Sequence, residues 1–374
     1  MQKIVVASDS FKGSLSSSQV ADAAEKGIRT VFPDCNVVKV NVADGGEGTV
    51  EAIVEALRGN IVTAKVSDPL GRLIEARYGI AGDTAIIEMA SASGLPLLAP
   101  EERNPLLTST RGTGEMIVDA LQRGCRHILT GIGGSATNDA GTGMMEALGV
   151  RFLDAGGKVL RACGATLELI EGIDLNGLIP ELKGCSFTVA CDVDTPFCGP
   201  DGAAYVFAPQ KGATTDMVRA LDEGMFHFAG VLKRTFGGED IVPMVGAGAA
   251  GGLGGGFKAF LGARLLKGID MVLDAIAFDE TIRGADLVIT GEGKVDSQTA
   301  CGKTAAGVLG RAKAQGIPVI ALGGCVEHCP ELDNMGFADI RAVSDPYAPI
   351  EWSMRPDVAS AAVTRAVVNL LWKK

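Results

Sequence analysis

A chain of 374 residues is long for one hydrophobic core, so two domains are expected. With 47% hydrophobic and 21% charged residues it describes a packed globular protein, which excludes disordered and fibrous classes. A net charge of −11 repels polyanions and argues against nucleic acid as a partner, and no apolar run reaches membrane-spanning length.

In chain order, the apolar run 4–7 reads as a strand. A helix is expected over 16–32, where Val20, Ala24, Ile28 and Val31 recur at helical spacing and Pro33 stands beyond the end. Val38, Val40 and Val42 alternate with Lys39 and Asn41, the period of a strand, and a glycine turn then leads to a helix over 49–57. From residue 61 the rhythm changes: strand-like 61–66, 73–80 and 84–89 are separated by Asp68-Pro69-Leu70-Gly71 and Gly82-Asp83, the pattern of an antiparallel meander. A helix over 113–121, a strand over 127–130 and a helical stretch over 142–148 follow. Next come a hairpin turn at 154–157, a buried strand at 188–191 and a long helix over 216–236, capped by Thr214 or Thr215. The last third returns to β-α-β order, with a strand at 287–290, a helix over 303–315, a strand at 319–322 and a closing helix over 358–371.

The expected fold is therefore α/β with two domains. Residues 1–62 and 283–374 form a discontinuous Rossmann- or flavodoxin-like parallel-sheet domain, and 63–282 form an inserted mixed α/β domain, with the active site in the cleft between them. No secretory leader precedes the first strand, and nine scattered cysteines read as reduced thiols, so a cytoplasmic location is expected.

Several glycine-rich, acid-tipped loops carry the candidate chemistry. Asp9-Ser10-Phe11-Lys12-Gly13-Ser14 leaves the first strand, at the sheet edge where parallel α/β folds bind ligands. There Lys12 offers a cation for phosphate or carboxylate, and Asp9 offers an oxygen for Mg²⁺ or a hydroxyl proton. Asp44-Gly45-Gly46-Glu47-Gly48-Thr49 has the same placement after the second strand. Its Gly45, Gly46 and Gly48 N–H groups suit phosphate and Asp44 suits metal or base duty. Turn capping is the competing reading at both loops.

Gly131-Ile132-Gly133-Gly134-Ser135-Ala136-Thr137-Asn138-Asp139 is the longest such loop. Gly133, Gly134, Ser135, Thr137 and Asn138 are candidate phosphate contacts and Asp139 a candidate metal ligand. Asp192 and Asp194 would project the same way if their strand continued, which suits a cation, whereas Asx-turn duty is the alternative. Arg111 reads as an anion clamp or as a surface arginine before a helix.

Thr290-Gly291-Glu292-Gly293-Lys294-Val295-Asp296-Ser297 is expected as a loop leaving a strand. Gly291, Glu292 and Lys303 are candidate nucleotide contacts and Asp296 a candidate metal ligand. Gly302-Lys303-Thr304 resembles a Walker A ending, but Ser297 stands where its first glycine belongs, so no true P-loop is present. Gly246, Gly248 and Gly251 match GxGxxG with Asp270 downstream. Pro243 interrupts the strand that should precede them, so close backbone packing or a hinge is the expected use. Cys325, His328 and Cys329 lack a second pair at zinc spacing, and no G-x-S-x-G elbow supports a Ser–His hydrolase.

Taken in order, these loops resemble the class I glycerate kinase family. The resemblance runs through the blocks beginning at Asp9, Asp44 and Gly131, through Asp68-Pro69-Leu70-Gly71-Arg72, Ala190-Cys191-Asp192-Val193-Asp194 and Phe207-Ala208-Pro209-Gln210-Lys211-Gly212-Ala213. It closes with Gly248-Ala249-Ala250-Gly251-Gly252-Leu253-Gly254 and Thr290-Gly291-Glu292-Gly293. It implies ATP-dependent phosphorylation of D-glycerate, 2-phosphoglycerate being the favoured product, with Mg²⁺ and a two-domain α/β fold. Ala140, Lys294 and Thr304-Ala305 depart from the family pattern without removing a charge assigned to chemistry. Under this reading Lys12 and Arg111 contact anions, while Asp9, Asp44, Asp192 and Asp194 share metal and base duty. D-glycerate and ATP are the expected partners, with no nucleic acid or membrane, in a monomer or homodimer. The alternatives are an NAD-dependent dehydrogenase of a small hydroxy acid, built on the 246–251 glycines, and a non-catalytic protein that binds a small organic acid.

Overall fold

The computed structural model describes residues 1–43, 48–238, 240–300 and 302–372. Among them the strands are, in chain order, β1 (Lys3–Ser8), β2 (Asn36–Asn41), β3 (Asn60–Ser67), β4 (Leu73–Ala81), β5 (Thr84–Glu88), β6 (His127–Gly131) and β7 (Arg151–Leu153). They continue as β8 (Val159–Leu160), β9 (Gly172–Asp174), β10 (Ser186–Ala190), β11 (Arg264–Leu266), β12 (Leu287–Val295), β13 (Val319–Val326) and β14 (Asp339–Ala342). The contacts divide the chain into Met1–Leu57 with Ile269–Lys374, and Arg58–Gly268.

The sequence pattern placed these boundaries at 62/63 and 282/283, and two local reasons move them. β3 begins at Asn60 and pairs along its whole length with β4, which takes it into the second unit. From Ile269 on, the helix Gly268–Ala275 belongs to the first unit, as does Phe278–Ile282, and there Arg311 reaches Asp270, Asp274 and Asp279.

In the first unit five parallel strands run in the order β14-β13-β12-β1-β2. Parallel strands covered on both faces read as continuous apolar runs. Ile4, Val6, Leu287 and Ile289 pack with the helices Ser17–Val31 and Pro356–Leu371. The intervening Val5 and Val288 point to the other face and are equally buried. Ser16 and Gln19 form a capping box that starts the first of these helices. From β1 the chain moves outward to β2, then resumes at β12 on the opposite side of β1 and proceeds to β13 and β14. The sheet's topological switch point therefore lies between β1 and β12.

β12 corrects one expectation. It runs on to Val295, so Gly291 and Glu292 lie inside a strand instead of in a loop beyond it. Gly291 pairs with Leu322, Glu292 with Gly323 and Lys294 with Cys325 of β13. A Cβ at position 291 would stand 2.6 Å from the Leu322 carbonyl oxygen, so the glycine permits this close approach.

The second unit is built on a mixed sheet of order β11-β10-β6-β5-β4-β3, in which β3, β4 and β5 form the antiparallel meander and β5, β6, β10 and β11 run parallel. A small antiparallel sheet, β8-β7-β9, stands apart from it. Gly248–Leu261 supplies a helix, Ala249–Leu261, with no strand before its glycines, so the dinucleotide fingerprint lacks its required context. Those glycines serve packing: at Gly251, φ is +68° and a Cβ would stand 2.1 Å from the Thr137 carbonyl oxygen. Among the described residues no helix is long and apolar enough to cross a membrane, and the eight described cysteines are free thiols.

Candidate active site

At the carboxyl ends of β1, β12 and β13, in the first unit, lies a cavity of about 720 Å³. That is the size range of small-molecule and cofactor sites. Asp9 and Lys12 reach it from the loop after β1, Glu292 from β12, and Lys303 from the start of the helix Thr304–Ala314. The loop is preformed by its own residues. Phe11 and Leu15 are buried and exchange backbone hydrogen bonds of 2.8 and 3.0 Å, which closes a tight turn with Gly13 left-handed at φ +75°. Lys12 is thereby held out at the tip, exposed, with no ion pair to a carboxylate among the described residues.

Asp9 directly follows β1 and Glu292 lies on β12, the two strands of the switch point. Asp9 Oδ1 accepts the Ser10 N–H at 2.6 Å and its Oδ2 accepts the Thr304 hydroxyl at 3.1 Å. Glu292 is 6% exposed, and its Oε1 accepts the Ala305 N–H at 2.9 Å. Burial lifts the Glu292 pKa to about 7, the negative charge of Asp9 adds to the rise, and the Ala305 N–H and the Lys303 ammonium oppose it. Lys303 Nζ donates to Gln298 Oε1 at 2.8 Å. Asp296, read as a metal candidate, is committed elsewhere. Lys294 pairs with it at 3.0 Å and holds its carboxyl below the usual range, and the Gln298 N–H caps it at 2.9 Å. Asp44, Gly45 and Gly46 lie outside the described residues. Gly48 is the left-handed N-cap of the helix Thr49–Ala56.

In the second unit the 133–139 loop is more closed than its composition suggests. Only Gly133 and Gly134 are exposed, whereas Ser135, Thr137, Asn138 and Asp139 are buried. Asp139 takes four donors on its carboxylate: the Thr110 N–H at 2.7 Å and hydroxyl at 2.9 Å, and the Gly141 and Gly143 N–H groups at 3.2 Å each. It ties together the starts of the helices Arg111–Gln122 and Thr142–Ala147, and a carboxylate so occupied is a structural tie in place of the expected metal ligand. Asn138 donates to the Met225 sulfur at 3.1 Å, and the Ala136 N–H goes to the Ser93 carbonyl at 2.9 Å. Of the expected phosphate cradle, the two glycines at the tip keep an exposed backbone.

Beneath that tip lies Lys211, which sequence reasoning did not single out as a site residue. It is 1% exposed, and its Nζ donates to Ser135 Oγ at 2.7 Å and to the Thr137 carbonyl at 2.6 Å. Burial presses its pKa down to about 7 against the attraction of Asp139. Its sequence signal was its place in the Phe207–Ala213 block that carries the family resemblance, where composition alone gave it no role. Arg111 is half-exposed and bridges Glu115 and Glu146 at 2.9 Å each, so its charge is met within its own unit. β10 ends at Ala190, so Asp192 and Asp194 lie on a loop and the strand argument for a shared direction fails. Both are exposed, and Asp192 accepts the Gly268 N–H at 2.9 Å. Among the described residues no three His, Cys, Asp or Glu side chains converge as a ready metal cage.

The sequence model of the glycerate kinase family matches residues 4–372. Over 326 residues the chain is 50% identical to a protein named glycerate kinase from Halalkalibacterium halodurans, covering 87% of this chain and 86% of that one. Over 324 residues it is 50% identical to the glycerate 2-kinase of Escherichia coli K12, covering 86% and 85% respectively. A solved structure provisionally described as glycerate kinase 2 from Salmonella typhimurium LT2 superposes with a TM-score of 0.90 at 44% identity, over 100% of this chain and 98% of that one. With its mixed α/β fold and a family match across nearly its whole length, the chain belongs to the glycerate kinase family and is an enzyme that phosphorylates a small-molecule substrate.

Proposed function

We propose that this enzyme is a class I glycerate kinase that transfers the γ-phosphoryl group of ATP to the 2-hydroxyl of D-glycerate, giving 2-phosphoglycerate and ADP. The observation that carries the reading is the gathering of Asp9, Lys12, Glu292 and Lys303 around one cavity at the β1/β12 switch point. The name of the E. coli relative, glycerate 2-kinase, supports the choice of hydroxyl.

Phosphoryl transfer asks a protein for position and charge. Lys12 and Lys303 supply the cations that hold the phosphates and the substrate carboxylate. Asp9 accepts the proton of the 2-hydroxyl as its oxygen bonds to the γ-phosphorus, and the breaking P–O bond leaves its electron pair on ADP. Glu292, buried beside it, sets the local charge. Within the second unit, the exposed glycines at 133–134 present N–H donors of the kind that suit phosphate, and Arg111 neutralises Glu115 and Glu146. Asp192 and Asp194 are exposed oxygen donors, the chemistry Mg²⁺ prefers, and Mg²⁺ needs only one or two carboxylates when phosphates and water complete its shell. When bound with ATP, Mg²⁺ would neutralise charge on the phosphate oxygens.

³¹P NMR of the protein with ATP, Mg²⁺ and D-glycerate tests this directly. A new phosphomonoester doublet, from coupling to a single proton, is expected for 2-phosphoglycerate. A triplet would move the reaction to the 3-hydroxyl, and unchanged ATP would overturn the kinase reading.

A further inference from the structure

The cavity lining is chemically mixed. Asp9, Lys12, Glu292 and Lys303 bring charge at the strand ends, and Phe11, Val326, Val343, Pro346, Ile350 and Met354 add apolar surface, with Lys294, Ser344 and Asp345 among them. D-glycerate is a three-carbon acid whose every carbon bears oxygen. It has no surface for such apolar side chains and would fill a small fraction of about 720 Å³. A flat, weakly polar ring system attached to a polyanion fits both kinds of side chain at once.

We propose that the apolar surface of this cavity is the seat of the nucleotide base, with the purine packed against Val343, Ile350 and Met354 and the triphosphate directed towards Lys12 and Lys303. The inference rests on the reading of the enzyme as ATP-dependent. Two further observations support it. The hydroxyl oxygens of Ser14 and Ser353, both residues of the cavity lining, are shielded from solvent and have no hydrogen-bond partner among the described residues. Shielded hydroxyls left unpaired are costly, and a change of serine rotamer on binding would bring either to the polar edge of a base or to a ribose hydroxyl. Ile350 and Met354 of the lining are 67% and 37% exposed, and Tyr347 and Trp352, near them in the chain, are exposed as well. Exposed apolar side chains at a cavity mouth suit an apolar ligand.

Because Ile350 and Met354 are exposed, Ile350→Asp and Met354→Asp are expected to fold, which circular dichroism melting verifies. Each should raise KM for ATP about tenfold and weaken inhibition by adenosine in parallel, as loss of an apolar ring contact predicts. KM for D-glycerate, kcat and inhibition by inorganic tripolyphosphate should stay within about twofold, since those ligands use the charged side chains alone. Unchanged KM for ATP in both variants, or a rise confined to D-glycerate, would overturn the base site. If wild-type protein shows no turnover with ATP, the kinase reading fails separately, and calorimetry then decides the base site. Adenosine bound by wild type and lost in Ile350→Asp supports it, and no adenosine binding by wild type refutes it.

Discussion

Replacing Glu292 by glutamine isolates the energetic cost of a buried carboxylate at the switch point. The side chain is 6% exposed, and its pKa rises from the ordinary 4.5 to about 7, chiefly because burial disfavours the charged form. The folded protein therefore binds this proton more tightly than the unfolded chain does. Its contribution is most favourable below pH 4.5, declines as pH rises towards 7, and above pH 7 stands at the full cost of the buried charge. A shift from 4.5 to about 7 corresponds to about 3 kcal/mol. Glutamine keeps the volume and the oxygen that accepts the Ala305 N–H but carries no charge. The difference in unfolding free energy, variant minus wild type, should be flat well below pH 4.5, climb between pH 4.5 and 7, and level off about 3 kcal/mol higher. Urea unfolding of both proteins at pH 5, 6, 7 and 8 measures it, and taking the difference cancels every group the two share. A difference that does not change with pH would mean that Glu292 ionises normally in the folded protein, and the electrostatic account of the site would be wrong.

Lys12→Ala should lower kcat/KM by about 10²–10³-fold while leaving the urea midpoint unchanged, because Lys12 is exposed and unpaired among the described residues; near-normal turnover would remove it from the site. Burial raises the Asp139 pKa against the pull of its donors, so Asp139→Asn relieves a buried charge yet turns an amide NH₂ on N–H donors; a net loss of about 1–3 kcal/mol in thermal melts is expected. Lys211 titrates in the opposite sense to Glu292. Its pKa is lowered to about 7, so wild-type stability should rise between pH 7 and 10.5 as the unfolded chain holds the extra proton. Lys211→Met should abolish that slope, and retention of the slope in the variant would show that another group causes it.

The alternation of strand and helix was legible because it rests on local signals. Val20, Ala24 and Ile28 mark one helix face, and Asp68-Pro69-Leu70-Gly71 marks one turn, whatever surrounds them. The ends of strands were less legible, because a strand continues wherever a neighbour pairs with it. Thr290-Gly291-Glu292-Gly293 has loop composition, yet Leu322 and Gly323 of β13 draw it into the sheet. That pairing turns Glu292 from a loop acid into a buried one, which no local pattern announces. The same non-locality sorts the candidate site residues. Asp139, Arg111 and Asp296 have the right chemistry for a site, but partners from distant or adjoining segments already satisfy them. Lys12 has chemistry no more distinctive than theirs, and it remains directed at a ligand-sized cavity because Phe11 and Leu15 pin the loop beneath it. A polar residue in a glycine-rich turn is therefore a candidate on composition alone. It becomes a functional residue when the fold surrounds it with space and leaves its charge unanswered.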